Sequence, residues 1–318
     1  MRLVVAFLLA LFVVRSCEAW WEGGHHLIAV MAYELLSESE QQELQSILNA
    51  HPRIAEDFIP PPNVTGSDEV NLWRIGRAAY WPDVARSQPT FTRPNWHYQL
   101  GATLVVGEKV TVPKTPGPLP ETATLETETL HIAQAIELCR KVFRDKTKSN
   151  SDRALAICWL GHLVGDSHQP CHAGSLYYAG VFPEGDRGAN FIPTKQADNL
   201  HFLWDGLLGP QFDAGDVRRR ARTISSDRQL WRDATNASVK TGGLDPLNWL
   251  EESGNYGRSH VYAPEVLIAV KAAAESAQKV EMIDLSEAYL KAAGEVATIR
   301  AAFAAHRLAK ILEEGLRK

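Results

Sequence analysis

Cysteine is scarce. The 318-residue chain has four, and Cys17 sits directly behind the apolar N-terminal run. Cys139, Cys158 and Cys171 remain, an odd number, so at most one disulfide forms among them. A chain this long does not depend on covalent staples for its core. Basic clusters are also missing. Lys and Arg number 33 against 38 Asp and Glu, a formal charge of −5 with no basic run, which excludes a nucleic-acid binder that works through a broad positive surface. There is no internal repeat, low-complexity tail or inter-domain linker. No apolar stretch is long enough to cross a bilayer: the longest, Leu3–Val14, falls short of the ~20 residues that span ~30 Å of hydrocarbon.

That run has another use. Arg2 precedes it, and Cys17-Glu18-Ala19 follows with small residues at both ends. This is the pattern of a cleavable secretory signal peptide. A lipidation site at Cys17 fits less well, because Arg15 is poorly tolerated there. The expected organisation is a signal peptide over 1–19 and one domain over 20–318, secreted or periplasmic, monomeric and without stable membrane association.

Helical patterns fill the rest. Residues 26–50 read as one or two helices with a break and cap at Ser37. Residues 122–144 are apolar at helical spacing. Ser151-Asp152 reads as the cap of a helix that ends before Pro170, and two or three more helices follow Ala263. "PPPNVTGSDEV" and "TVPKTPGPLP" are loops, and "ATLVVGEKVTV" reads as a short β-ribbon. The expected fold is mainly α, a single-domain helical bundle.

Of the eleven histidines, several sit where metal ligands would. In "GHLVGDSHQPCH", His162 and Asp166 are four apart and share one helical face, and His172 follows beyond the proline. His201 and Asp205 in "HFLWD" repeat the spacing. Imidazole with carboxylate suits zinc. Each pair alone is as well explained by a surface hydrogen bond; two pairs with His172 between them favour metal. Asp83 in "YWPDVAR" and His97 in "NWHYQL" lie in aromatic surroundings, where a polar group needs a partner or a metal. Upstream, "WWEGGHH" follows the expected cleavage site. A free Trp20 amino group and the Trp20 carbonyl can chelate a metal, with His25 completing the site.

Taken together, the sequence resembles the S1/P1 nuclease family of secreted zinc nucleases and 3′-nucleotidases. The resemblance rests on Trp20…His25, Trp81-Pro82-Asp83, Trp96-His97-Tyr98, the His162–His172 run, Gly185-Asp186-Arg187-Gly188-Ala189-Asn190 and Asn199-Leu200-His201-Phe202-Leu203-Trp204-Asp205. It implies the helical bundle shared by those nucleases and zinc phospholipases C. It also implies three Zn2+ ions. One takes Asp83, His97, His162 and Asp166; a second takes Trp20, His25 and the bridging Asp166; the third takes His172, His201 and Asp205. Zinc-bound hydroxide then attacks phosphorus, with Asp83 orienting it and Arg86 holding a phosphate oxygen. Asn190 contacts substrate, Tyr98 stacks a base, and Tyr177 or Tyr178 is a candidate second wall of the base site, with a core role equally open. His26 and His168 are expected to form hydrogen bonds rather than ligate. The implied substrates are single-stranded DNA and RNA, cut to 5′-phosphorylated products, and 3′-nucleotides. Leu100 stands where family members often place a base-contacting polar side chain, so recognition is expected to lean on stacking. A zinc phospholipase C, which typically ends its ligand order on Glu where this chain has Asp205, and a non-enzymatic zinc-binding protein are the competing readings.

Overall fold

The computed structural model describes residues 20–317. The expected signal peptide lies outside the described residues.

Twelve α-helices and one small sheet make up the described chain. Helix α1 (Glu22–Glu34) ends before α2 (Glu38–Leu48), because Ser37 caps α2. The Ser37 hydroxyl accepts from the Glu40 amide, and the Glu40 carboxylate accepts from the Ser37 amide at 2.9 Å, a reciprocal box that satisfies two otherwise orphaned donors. Short α3 (Ile54–Asp57) leads to α4 (Ser67–Val84). Helix α5 covers Ile132–Arg144, so the helical pattern from residue 122 overreaches. In that stretch the Thr127 hydroxyl accepts from the Thr124 amide, a local bond that competes with helix. The carbonyls of Leu125 and Thr127 instead receive Arg93 Nε and Trp96 Nε1, both at 2.9 Å, which ties this segment over the Trp96-His97 turn.

The cap of helix α6 (Asn150–Ser167) is Ser149, two residues before Ser151, and its hydroxyl accepts from the Asp152 amide. The helix is buried on nearly every side, the mark of a central helix. The expected β-ribbon does not fold back on itself. Strand β1 (Ala102–Val106) pairs in parallel with β2 (Ser175–Tyr178), from Ala102–Ser175 to Val106–Tyr178. After β1 the chain turns away at Gly107 (φ +86°) and Thr111 binds the Pro183 carbonyl instead. Then come α7 (Leu200–Asp205), α8 (Ala214–Ser226), α9 (Arg228–Val239), α10 (Pro246–Tyr256), α11 (Pro264–Ser276) and the long α12 (Glu287–Leu316).

Two apolar clusters hold these elements. The larger joins α1, α2, α4, α5, α6 and the C-terminal half of α12; the smaller joins β2, α7, α11 and the N-terminal half of α12. Cys139, Cys158 and Cys171 are buried thiols and form no disulfide among the described residues.

Two buried arginines on α12, Arg300 and Arg307, converge on Glu252 of α10. Arg307 meets both carboxylate oxygens at 2.7 Å and also reaches His168 Nε2 at 2.8 Å. Arg300 donates to Glu252 at 2.8 Å and to the His168 carbonyl at 3.3 Å. The end of α6 is thereby locked to α10 and α12. Burial pushes the Glu252 carboxyl up, but Arg307 and Arg300 overcome this and hold it at about 2. An unfolded Glu titrates near ~4.3. The folded value is the lower one, so this stabilisation is present above pH ~4.3 and is lost as pH falls toward 2. Glu252→Gln leaves two buried cations without their counter-charge and is expected to cost about 3 kcal/mol at pH 7. Thermal melts of both proteins at pH 7 and pH 3 check this: the gap in melting temperature narrows at pH 3, and an equal gap at both would refute the assignment.

Candidate metal centre

Helix α6 sets His162 and Asp166 one turn apart, and other elements bring their partners to them. The C-terminal end of α4 supplies Asp83, the 3-10 turn Pro94–His97 supplies His97, and α1 supplies His25. Asp166 Oδ2 lies 3.1 Å from His97 Nδ1 and 3.3 Å from His162 Nε2. Its other oxygen lies 3.4 Å from His25 Nε2. His162 Nε2 is 2.9 Å from His97 Nδ1 and 3.7 Å from Asp83 Oδ1. A second centre gathers His172 from the turn Pro170–Ala173 with His201 and Asp205 from α7. There the two Nε2 atoms are 3.0 Å apart, and Asp205 Oδ2 is 3.5 Å from His201 Nε2. All of these side chains are buried. They form three groups able to hold a metal ion: His25, His162 and Asp166; Asp83, His97 and His162; His172, His201 and Asp205.

The hydrogen bonds behind the rings show what the centre is built for. His162 Nδ1 faces the Ala79 carbonyl at 2.9 Å, His172 Nδ1 the His97 carbonyl at 2.5 Å, and His201 Nδ1 the Gly188 carbonyl at 2.5 Å. A carbonyl only accepts, so each Nδ1 carries the hydrogen. In the neutral rings each Nε2 then presents a lone pair inward. Two such lone pairs at 3.0 Å, from His172 and His201, repel unless a cation lies between them. His25 is wholly buried with neither ring nitrogen hydrogen-bonded, and Asp83 Oδ2 is buried without a hydrogen bond. Orphans of this kind are costly, and a divalent cation satisfies them together. Carbonyl-oriented imidazoles facing carboxylates are the donor set zinc takes. Burial, reinforced by neighbouring cationic and imidazole groups, pushes His25, His97 and His172 well below the usual histidine range, and His162 to about 3. These four rings are therefore neutral at physiological pH.

The structure also places the other sequence candidates. Arg86 donates through Nε to Asp83 Oδ1 at 2.6 Å and lies 3.5 Å from His97 Nδ1 through Nη2. Tyr98 is 38% exposed, hydrogen-bonds Asn95 at 3.0 Å and meets His131 edge-on. Asn190 Nδ2 donates to the Arg187 carbonyl at 2.8 Å. Tyr178 sits on β2, packed against the smaller core. Trp20 is fully buried, and its indole donates to the Gly165 carbonyl at 3.0 Å, next to Asp166. The Trp21 amide donates to the Asp205 carbonyl at 3.0 Å. The segment 20–21 is thus pinned to both centres. His168 is hydrogen-bonded as expected. His26 is not: both nitrogens lack hydrogen bonds, Glu22 is 3.8 Å away, and the ring packs on Phe212 and Gly76.

Two features were missed from sequence. Gln169 is buried and donates to Asp205 Oδ1 at 2.6 Å, while its oxygen accepts from the Cys171 amide; it stood unremarked inside "HQPCH". The second is the shape of the 185–190 loop. Arg187, Gly188 and Ala189 all have left-handed φ, at 56°, 62° and 69°. A Cβ at Gly188 would meet the Cys171 carbonyl oxygen at 2.3 Å, so only glycine fits here, where its own carbonyl receives His201 Nδ1. Asp186 anchors the loop, accepting from the Leu176 amide at 2.9 Å and the Tyr262 hydroxyl at 3.1 Å, with burial pushing its carboxyl up to about 6.

Comparison with known proteins agrees with this geometry. The model of the S1/P1 nuclease family matches residues 20–317. The chain is also 38% identical over 56 residues to Endonuclease 4 of Arabidopsis thaliana, a match covering 17% of this chain and 16% of that protein.

Proposed function

We propose that this chain, which belongs to the S1/P1 nuclease family, is a secreted, monomeric zinc enzyme that hydrolyses single-stranded DNA and RNA to 5′-phosphorylated products and removes phosphate from 3′-nucleotides. The observation that carries the reading is the convergence of buried, carbonyl-oriented imidazoles on carboxylates in three groups. Asp83, His97, His162 and Asp166 would hold one zinc, the Trp20 amino and carbonyl groups with His25 and Asp166 a second, and His172, His201 and Asp205 a third. Bound zinc supplies Lewis acidity toward the phosphodiester and makes water a nucleophile near neutral pH.

The chain's own groups do the rest. Arg86 donates to Asp83, which fixes the guanidinium beside the centre, where a forked donor suits a non-bridging phosphate oxygen. Asn190 offers an amide from the loop that abuts His201. Tyr98 presents an exposed ring beside the ligand His97, and stacking on it needs an unpaired base, a physical reason for single-strand preference. Leu100 adds no polar group, so the preference among bases is expected to be small.

A substrate panel tests the proposal: single-stranded DNA and 3′-AMP are hydrolysed, and duplex DNA more slowly. Hydrolysis of phosphatidylcholine in place of DNA would overturn it. Tyr98→Ala is expected to weaken single-stranded substrates by ~1–3 kcal/mol with bound zinc retained. Bis(p-nitrophenyl) phosphate, which has no base, should lose less; equal losses on both would make Tyr98 structural.

A further inference from the structure

The same loop that holds His201 presents an exposed pair that the catalytic reading does not use. Arg187 is exposed, and its guanidinium lies 5.2 Å from the centroid of the Phe191 ring. Phe191 is 49% exposed. Arg187 makes no ion pair with any carboxylate among the described residues. Two non-glycine residues of this loop, Arg187 and Ala189, are held in left-handed backbone, a strained state that persists only where the surroundings enforce it. The enforcement is visible in the Asp186 anchor, the Gly188–His201 contact and the Phe191 amide bound to the Asp186 carbonyl. Core packing does not ask for an arginine at 187, because its side chain points to solvent. The fixed backbone sets an aromatic ring and a cationic side chain on either side of Asn190.

We propose that Arg187 and Phe191 form a second nucleotide subsite, which binds a base and phosphate of the substrate strand beyond the nucleotide at the scissile bond. It rests on the nuclease reading. The base stacks on the Phe191 ring or the guanidinium plane, both of which accept any base. The exposed cation–π contact is weak, so the fork turns readily to a phosphate of the same nucleotide. The subsite engages a strand that extends past the cleaved bond. A 3′-mononucleotide does not reach it.

Steady-state kinetics on the zinc-loaded full chain test this, with Phe191→Leu and Arg187→Ala compared on single-stranded oligothymidylate and on bis(p-nitrophenyl) phosphate. Phe191→Leu keeps the apolar bulk and removes the π-face. Its KM for the oligonucleotide is expected to rise roughly 5- to 100-fold, a larger loss than on the small diester. For Arg187→Ala, the slope of log(kcat/KM) against log[salt] on the oligonucleotide should flatten by about 0.7. An unchanged oligonucleotide KM and salt slope, or equal losses on both substrates, would overturn the subsite while the nuclease reading stands. A wild-type protein that cannot cut the oligonucleotide would overturn both.

Discussion

Asp166→Asn is expected to empty two of the three metal positions, lower the melting temperature and reduce hydrolysis by at least ~10³-fold, more than the loss of one transition-state donor. The reason is geometric. One oxygen of this wholly buried carboxylate faces His97 and His162, and the other faces His25. Asparagine keeps the shape but replaces one oxygen with an NH2 group, which donates and does not ligate, and it removes the negative charge shared by both positions. Its partners come from α1, α6 and the turn at His97, segments far apart in sequence. Metal binding across such segments is folding free energy, so stability falls with metal content. His172→Ala removes a ligand from the third group alone and should lose less metal. Zinc per chain, thermal melts and hydrolysis of single-stranded DNA check this; full zinc content in the Asp166→Asn protein would refute the bridging role.

A chain that carries any residue ahead of Trp20 is expected to lose one zinc and most of its activity, although every side chain is intact. The α-amino group of Trp20 exists only after cleavage behind Ala19. Such a group has a pKa of ~7.7–8 and yields its proton to a metal readily, whereas an amide nitrogen does not ligate zinc at neutral pH. The bond from the Trp20 indole to the Gly165 carbonyl pins residue 20 beside Asp166, where a terminal amino group is of use. Cleavage one residue later would pair Trp21 with His26, but His26 packs on Phe212 and belongs to none of the three metal groups. The loss should exceed the ~10–100-fold typical of removing an outer hydrogen-bond partner of a ligand. A mature protein beginning at Trp20 and one beginning Met-Trp20 give the comparison. Three zincs and full activity in the Met-extended protein would show that His25 finds its metal without the terminus.

What could be read from the sequence was what a local period or a short motif encodes. The His162–Asp166 and His201–Asp205 spacings follow from the helical repeat, and Ser37 reads as a helix break and cap. Asp83 and His97 carried no local signal beyond aromatic neighbours, and their place rested on the family resemblance. Contacts between distant segments were not legible. Gln169 holds Asp205, Arg300 and Arg307 clamp the end of α6 through Glu252, and β1 finds β2 rather than its own neighbour. Each depends on how helices pack, and no residue spacing records that. The left-handed run at Arg187–Ala189 was hidden for a related reason: only Gly188 advertises such backbone, and its neighbours are forced into it by the Asp186 anchor and the approach to His201.

The central claim, that the three His/Asp groups bind zinc and that nuclease activity depends on it, is tested most directly by stripping the mature protein with a chelator and titrating metal back while following hydrolysis of single-stranded DNA. The account predicts that the stripped protein is inactive, that zinc restores activity with saturation at three ions per chain, and that magnesium does not substitute. Full activity in the metal-free protein, or restoration by magnesium alone, would contradict it.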